Sequence, residues 1–154
     1  MKRIARWTIL ALLPLLAAAA FAQSELGPGS PHLINPEELL KLLQSTAGDK
    51  PLILNVGPWL LYRQAHIPGA EYIGSPSDKQ ASEQLRKRVQ PLPRNKSIIL
   101  YCGCCPWSHC PNVRPAYSEL HAMRFSNVKV LYIANNLGAD WVDKGYPTIK
   151  GPPE

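Results

Sequence analysis

The four cysteines of this chain, Cys102, Cys104, Cys105 and Cys110, fall within nine residues of a 154-residue sequence. So tight a group cannot tie distant segments together, which excludes the disulfide framework on which small secreted scaffolds depend. The fold must come from an apolar core, and the thiols must serve a local purpose. Their setting is informative. Ser97 to Tyr101, with Ile98, Ile99 and Leu100 in succession, is the strongest strand signal in the chain, and Cys102 follows it directly. Beyond the cysteines, Val113, Ala116, Tyr117 and Leu120 fall on one helical face.

The N-terminus carries a separate signal. Lys2, Arg3 and Arg6 precede an apolar run from Trp7 to Ala20, and Ala20-Phe21-Ala22 has the small-x-small pattern of a signal-peptidase site. The run is shorter than the ~20 apolar residues that span a bilayer, and Pro14 interrupts it. Residues 1–22 therefore read as a cleaved signal peptide, giving a periplasmic or secreted protein with no stable membrane insertion after cleavage. Three of the 17 Lys and Arg leave with this segment and none of the 11 Asp and Glu, so the mature charge is 14 − 11 = +3. That is too mild to suggest nucleic acid as a partner, and Arg86-Lys87-Arg88 reads as a solvated helix face.

The remaining chain suits one domain. Residues 23–34 are rich in Gly, Pro and Ser and read as a flexible leader. Asn35-Pro36-Glu37-Glu38 opens a helix, with a cap, a proline in the first turn and two acids there. Pro51 to Val56 is a buried strand ended by Gly57-Pro58, and Glu71 to Ile73 a brief extended segment. Lys79 to Val89 is a polar helix, Asn127 to Ile133 another strand, and a short helix surrounds Asp140-Trp141-Val142. Strands alternating with helices predict a three-layer α/β domain over residues 35–150, its parallel central sheet covered on both faces. Residues 151–154 form a tail.

In such sheets, sites form at the carboxyl ends of strands, beside helix N-termini. Asn112 is placed to cap a helix beginning Val113-Arg114-Pro115. The helix dipole and Arg114 would then lower the pKa of Cys102 and stabilise an anionic sulfur there.

The order of these elements resembles the rhodanese-like domain family. The resemblance covers roughly Asn35 to Lys150. It rests on Pro36-Glu37-Glu38-Leu39-Leu40, the turn His66-Ile67-Pro68-Gly69-Ala70, the strand and cysteine Ile98-Ile99-Leu100-Tyr101-Cys102, and Trp141 followed by Gly145-Tyr146-Pro147. It implies that Cys102 accepts sulfane sulfur as a persulfide and passes it on, making the protein a sulfurtransferase with a small sulfur donor and a thiol acceptor. Cys102 and Arg114 are then the catalytic candidates, and Tyr62 and Arg63 occupy a loop that approaches the site in this family. The chain also departs from the family pattern. Arg114 lies twelve positions after Cys102, where a usual loop holds about four residues between cysteine and arginine, and Pro106 and Pro111 remove two amide donors. Asn55-Val56-Gly57 stands where Asp-x-Arg is often found, and Asn135-Asn136 where a glycine pair is usual. These departures bear on whether thiosulfate is a donor.

Three uses of the thiols remain open. Cys104, Cys105 or Cys110 could resolve a persulfide or sulfenate on Cys102, as a sulfurtransferase or a thiol–disulfide redox protein with a redox partner. With no resident cofactor expected on that reading, the alternative is a soft-metal module in which Cys102, Cys104, Cys105, Cys110 and His109 bind Zn or Cu(I). Third, a disulfide from Cys105 or Cys104 to Cys110 could merely hold the long loop; separately, the domain could be inactive and bind a protein partner. Trp107 and His109 are candidates for the pocket wall, His66 is a turn residue satisfied by backbone, and Trp141 is core. A phosphatase is excluded, because no cysteine has the C-x5-R spacing.

Overall fold

The computed structural model describes residues 26–152 except 28 and 47. The segment read as a signal peptide lies outside the described residues. Five strands form one parallel sheet in the order β1-β5-β4-β2-β3: β1 Leu33–Ile34, β2 Leu52–Asn55, β3 Ala70–Tyr72, β4 Ile98–Tyr101 and β5 Val128–Leu131. The helices are α1 Pro36–Gln44, α2 Trp59–Gln64, α3 Lys79–Val89 and α4 Val113–Ala122, followed by a single π-helical turn at Gly138–Val142. Among the described residues, no helix is long and apolar enough to cross a membrane.

The expected three layers follow from strand periodicity. In β4, Ile98 and Leu100 join a core with Leu85 and Val89 of α3 and Ala116, Tyr117 and Leu120 of α4. Ile99 and Tyr101 point the other way, packing with Leu39 of α1, Tyr62 of α2 and Trp141. Both faces are thus covered, as uniformly apolar strands require. The alternation continues one residue past the strand and delivers Cys102 to the α3/α4 face, where it joins that core. Trp141 is fully buried, as the sequence suggests.

The α1 entrance is a capping box, in which Asn35 accepts from the Glu38 backbone and Glu38 Oε2 accepts from the Asn35 N–H at 2.9 Å. His66 is likewise the structural residue expected: it is 2% exposed, its Nδ1 lies 2.9 Å from the Tyr62 carbonyl, and its backbone pairs with Ile149.

Two expectations need correction. The segment read as a leader contributes to the fold at both ends. Leu26 is 1% exposed within the α3/α4-side core, and Leu33–Ile34 form edge strand β1 beside β5. Two residues are too short to show a periodicity, and the sheet edge at β5 supplies the partner that the local sequence does not reveal. Tyr62 and Arg63 lie in helix α2 and not in a loop. Pro58 sets the entry to that helix, and Tyr62 anchors it in the core by donating its hydroxyl to the Ala70 carbonyl at 2.6 Å.

Candidate active site

Cys102 emerges at the carboxyl end of β4, against the N-terminus of α4. Its position is fixed from three sides. Gly57, two residues beyond β2, packs so closely that a Cβ there would lie 2.5 Å from the Cys102 carbonyl oxygen and 3.3 Å from its Sγ. Asn55, 2% exposed, donates from Nδ2 to that carbonyl at 3.4 Å and accepts from the Gly57 N–H at 3.0 Å. Asn112 donates from Nδ2 to Cys102 Sγ at 3.4 Å, while its Oδ1 accepts from Ser75 Oγ at 2.6 Å.

Asn55-Val56-Gly57, a departure from the family pattern in sequence, is therefore the floor on which the cysteine rests. Asn112 stands at the helix entrance as expected, yet its side chain makes no cap. It has αR backbone angles, from which the side chain turns toward Ser75 and the thiol.

The loop leaves Cys102 through Gly103, whose φ of +79° suits glycine and whose missing side chain makes room for Leu137, 2.9 Å from where a Cβ would be. The Gly103 carbonyl accepts from the Leu137 N–H at 2.9 Å, and the Trp107 N–H donates to Ile133 at 2.9 Å. A 3-10 turn at Trp107–His109 then leads to Cys110 at the mouth of α4. This long loop is thereby pinned to the chain leaving β5. All four cysteines are thiols.

The sulfurs converge. Cys102 and Cys104 are 3.1 Å apart, Cys104 and Cys105 3.2 Å, and the Sγ atoms of Cys102, Cys104 and Cys110 lie within 4.8 Å of one another. Their acidities are driven apart. Cys102 is pushed far up, first because its thiol donates to Cys110 and then because it is buried. Cys110 is pulled down to about 6 by that same hydrogen bond and by the backbone N–H groups of Asn112 and Val113, against the opposing effect of burial. Cys105 is pushed up to about 12 by burial and its hydrogen bond to Cys104. The expectation that the α4 N-terminus acidifies Cys102 is thus corrected. The backbone N–H groups of Asn112 and Val113 at the α4 entrance meet Cys110, which sits three residues before the helix, and favour a thiolate there.

A cavity of about 290 Å³ opens beside the loop, lined by Asn55, Leu61, Tyr62, Cys102, Cys104 and Val142 among others. Of the residues picked from sequence, Cys102, Cys104 and Tyr62 meet there. The others do not line it. Arg63 lies over the Trp59 ring at 6.0 Å. Arg114 stacks at 5.4 Å over the ring of Trp107, itself 7% exposed. His109 is exposed and hydrogen-bonds Ser108 Oγ. Asn55, Gly57, Ser75 and the sulfur contact of Asn112 were not identified as site features from sequence. A polar residue closing an apolar strand, as Asn55 closes Leu52-Ile53-Leu54, is the signal that marks the first of them.

The fold and cysteine position define a rhodanese-like α/β domain with a thiol cluster at the carboxyl end of its central strand. The rhodanese-like domain profile matches residues 35–132, and the chain belongs to that family. No curated protein matches it significantly in sequence. Solved structures agree on the fold. A Bacillus halodurans protein superposes with a TM-score of 0.58 at 19% identity, covering 86% of this chain and 84% of its own. The rhodanese-like domain of an Anabaena protein gives 0.55 at 22%, covering 77% and 79%. A thiosulfate sulfurtransferase from Pseudomonas aeruginosa gives 0.56 at 21%, covering 86% of this chain and 22% of that one.

Proposed function

We propose that this is an exported thiol-dependent sulfur-transfer protein, in which Cys102 takes up sulfane sulfur as a persulfide and Cys104 resolves it. The observation that carries this reading is the pair Cys102 and Cys104, 3.1 Å apart and both facing the cavity. The likeness in fold to a thiosulfate sulfurtransferase supports the same chemistry. Export rests on the charged, apolar and small-residue pattern of residues 1–22.

With thiosulfate as the simplest donor, the outer sulfur bonds to Cys102 Sγ while its bond to the sulfonate sulfur breaks. The Cys102 proton passes to the Cys110 thiolate, and sulfite leaves. Cys104 then attacks Cys102 Sγ, forming the Cys102–Cys104 disulfide, and the terminal sulfur departs as hydrosulfide with the Cys104 proton. An external dithiol, as on a redox protein, returns the two electrons and becomes a disulfide itself. A small thiol acceptor could instead take the terminal sulfur before Cys104 attacks. The same two sulfurs would serve a thiol–disulfide redox protein without sulfur loading, a second reading that their contact also favours.

Intact-mass spectrometry of the metal-free, reduced protein after exposure to a sulfane donor tests the proposal. The wild type gains one sulfur and then loses it together with two hydrogens. Cys104→Ser retains the added sulfur, and Cys102→Ser gains none. Direct oxidation of the wild type, with no sulfur-bearing species even in Cys104→Ser, would favour the redox reading instead.

A further inference from the structure

We propose that Cys102, Cys104 and Cys110 form a three-sulfur site for Cu(I), an activity distinct from sulfur transfer. A trigonal set of thiolates with metal–sulfur bonds of ~2.3 Å, the usual length to a borderline-soft metal, places its sulfurs about 4 Å apart. The three Sγ atoms already lie within 4.8 Å of one another. Two are fixed by secondary structure, Cys102 by the end of β4 and Cys110 by the entrance of α4. Cys104 rides on the loop after Gly103, so its sulfur can move outward from 3.1 Å to bonding distance without disturbing the sheet.

The donor set selects the metal. Thiolates favour soft ions, and Cu(I) is satisfied by three, whereas structural zinc takes four ligands in a tetrahedron. Among the described residues the group holds three donors and no more. His109, part of the ligand set considered from sequence, is exposed and turned to Ser108, and Cys105 stands outside the trio. The surroundings suit a monovalent ion held away from water. Cys102 and Cys110 are each 5% exposed and belong to the apolar core with Trp107 and Val113. Asn112 Nδ2 donates to Cys102 Sγ, the kind of supporting contact that orients a ligand and disperses its charge. Binding replaces the thiol protons, which pass to solvent.

The test uses the full mature chain, reduced and held under anaerobic conditions, with Cu(I) supplied against bicinchoninate as a competing chelator. The expected result is one Cu(I) per chain and an X-ray absorption spectrum with three sulfurs around the metal. Cys104→Ser and Cys110→Ser each weaken binding by at least the ~10–100-fold that loss of a supporting group alone costs. Cys105→Ser and His109→Ala leave affinity and coordination unchanged. Two sulfurs around the wild-type metal would overturn the proposal, as would less than one Cu(I) per chain. So would a Cys105→Ser or His109→Ala variant that binds as poorly as Cys104→Ser. The wild-type spectrum decides the matter even if a serine variant fails to fold. Sulfur loading is read by mass on metal-free protein, so either activity can fail without the other.

Discussion

Cys102 and Cys110 hold their sulfurs within 4.8 Å of one another, yet the protein gives them opposite acidities, a proton held on Cys102 and a thiolate at Cys110. The division follows from where each sulfur sits. Both are equally buried in one core, but Cys110 meets the Asn112 and Val113 amides at the α4 entrance, whereas Cys102 gives its thiol proton to the hydrogen bond with Cys110. Access is divided the other way, because the cavity is lined by Cys102 and not by Cys110. Taken with the proposed sulfur uptake, this makes Cys102 the accepting atom and Cys110 the base that receives its proton.

The first prediction concerns titration. Thiolate absorbance of the reduced wild type should rise with a midpoint near pH 6, assigned to Cys110. Cys102→Ala removes the donor that contributes most to the shift, so the midpoint moves upward toward the ordinary thiol range near ~8.5. The same shift affects stability. The folded pKa of Cys110 is below its unfolded value, so the unfolded chain binds more protons between the two. The Cys110 contribution to stability should therefore be full above the unfolded value and be lost as pH falls toward 6. Above the unfolded thiol value the raised pKa of Cys102 works in the opposite direction, and its contribution is lost as pH climbs. Urea unfolding followed across this range, in wild type and Cys110→Ala, checks the sign: the variant should lose the acid-side slope.

Gly57→Ala should disrupt the site from beneath. Its Cβ would stand 2.5 Å from the Cys102 carbonyl oxygen, and backbone on both sides leaves neither atom free to yield. Overpacking of this kind costs about 1–3 kcal/mol. We expect a lower denaturant midpoint and a sulfur-loading rate reduced by roughly a hundredfold, the penalty for displacing a reacting atom by about 1 Å. Ala139→Gly, at an exposed position of the π-helical turn, should leave the loading rate unchanged in the same mass-spectrometric assay.

Much of this architecture is legible in the sequence, because long apolar strands and amphipathic helices carry their periodicity locally. Ile98-Ile99-Leu100 announces β4, and Val113, Ala116, Tyr117 and Leu120 announce α4, so Cys102 is placed between strand and helix before any coordinates are known. The parts that stay hidden depend on contacts far apart in the chain. β1 exists because β5 offers it an edge, and Leu26 is buried because the core reaches it. The assignment of acidity is hidden for the same reason. Spacing places a helix N-terminus near the thiols, but only the path of the Trp107–His109 turn decides that Cys110, and not Cys102, reaches its amides.

Arg114 should prove a packing residue. Its guanidinium lies over Trp107, 5.4 Å from the ring centroid. Arg114→Ala should lower stability by the ~0.5–1 kcal/mol of such a pair at a partly exposed position, read as a shift in denaturant midpoint. Arg114→Lys should recover part of that loss. Sulfur loading of Cys102 should change little in either variant. A loss of loading with unchanged stability would instead place the arginine at the substrate.

Asn112 gives the sharpest separation of roles, because one side chain serves both the fold and the sulfur. Its Oδ1 accepts from Ser75 and its Nδ2 donates to Cys102. Asn112→Ala leaves the Ser75 hydroxyl without this acceptor and strips the thiol of a donor. Ser75 is part-buried and keeps Ser77 Oγ as a partner at 2.6 Å, so the expected cost is the ~0.5–1.5 kcal/mol of one lost hydrogen bond. Asn112→Asp is the more telling variant. It keeps an oxygen for Ser75 but brings a negative charge to the face of Cys102, which disfavours a thiolate or persulfide anion there. Stability in Asp should fall less than in Ala at pH above the carboxylate range, while sulfur loading should fall more. The two measurements therefore rank the variants in opposite order. Equal ranking by denaturant midpoint and by sulfur uptake would mean that Asn112 only holds Ser75 in place, and that its approach to Cys102 has no part in the chemistry.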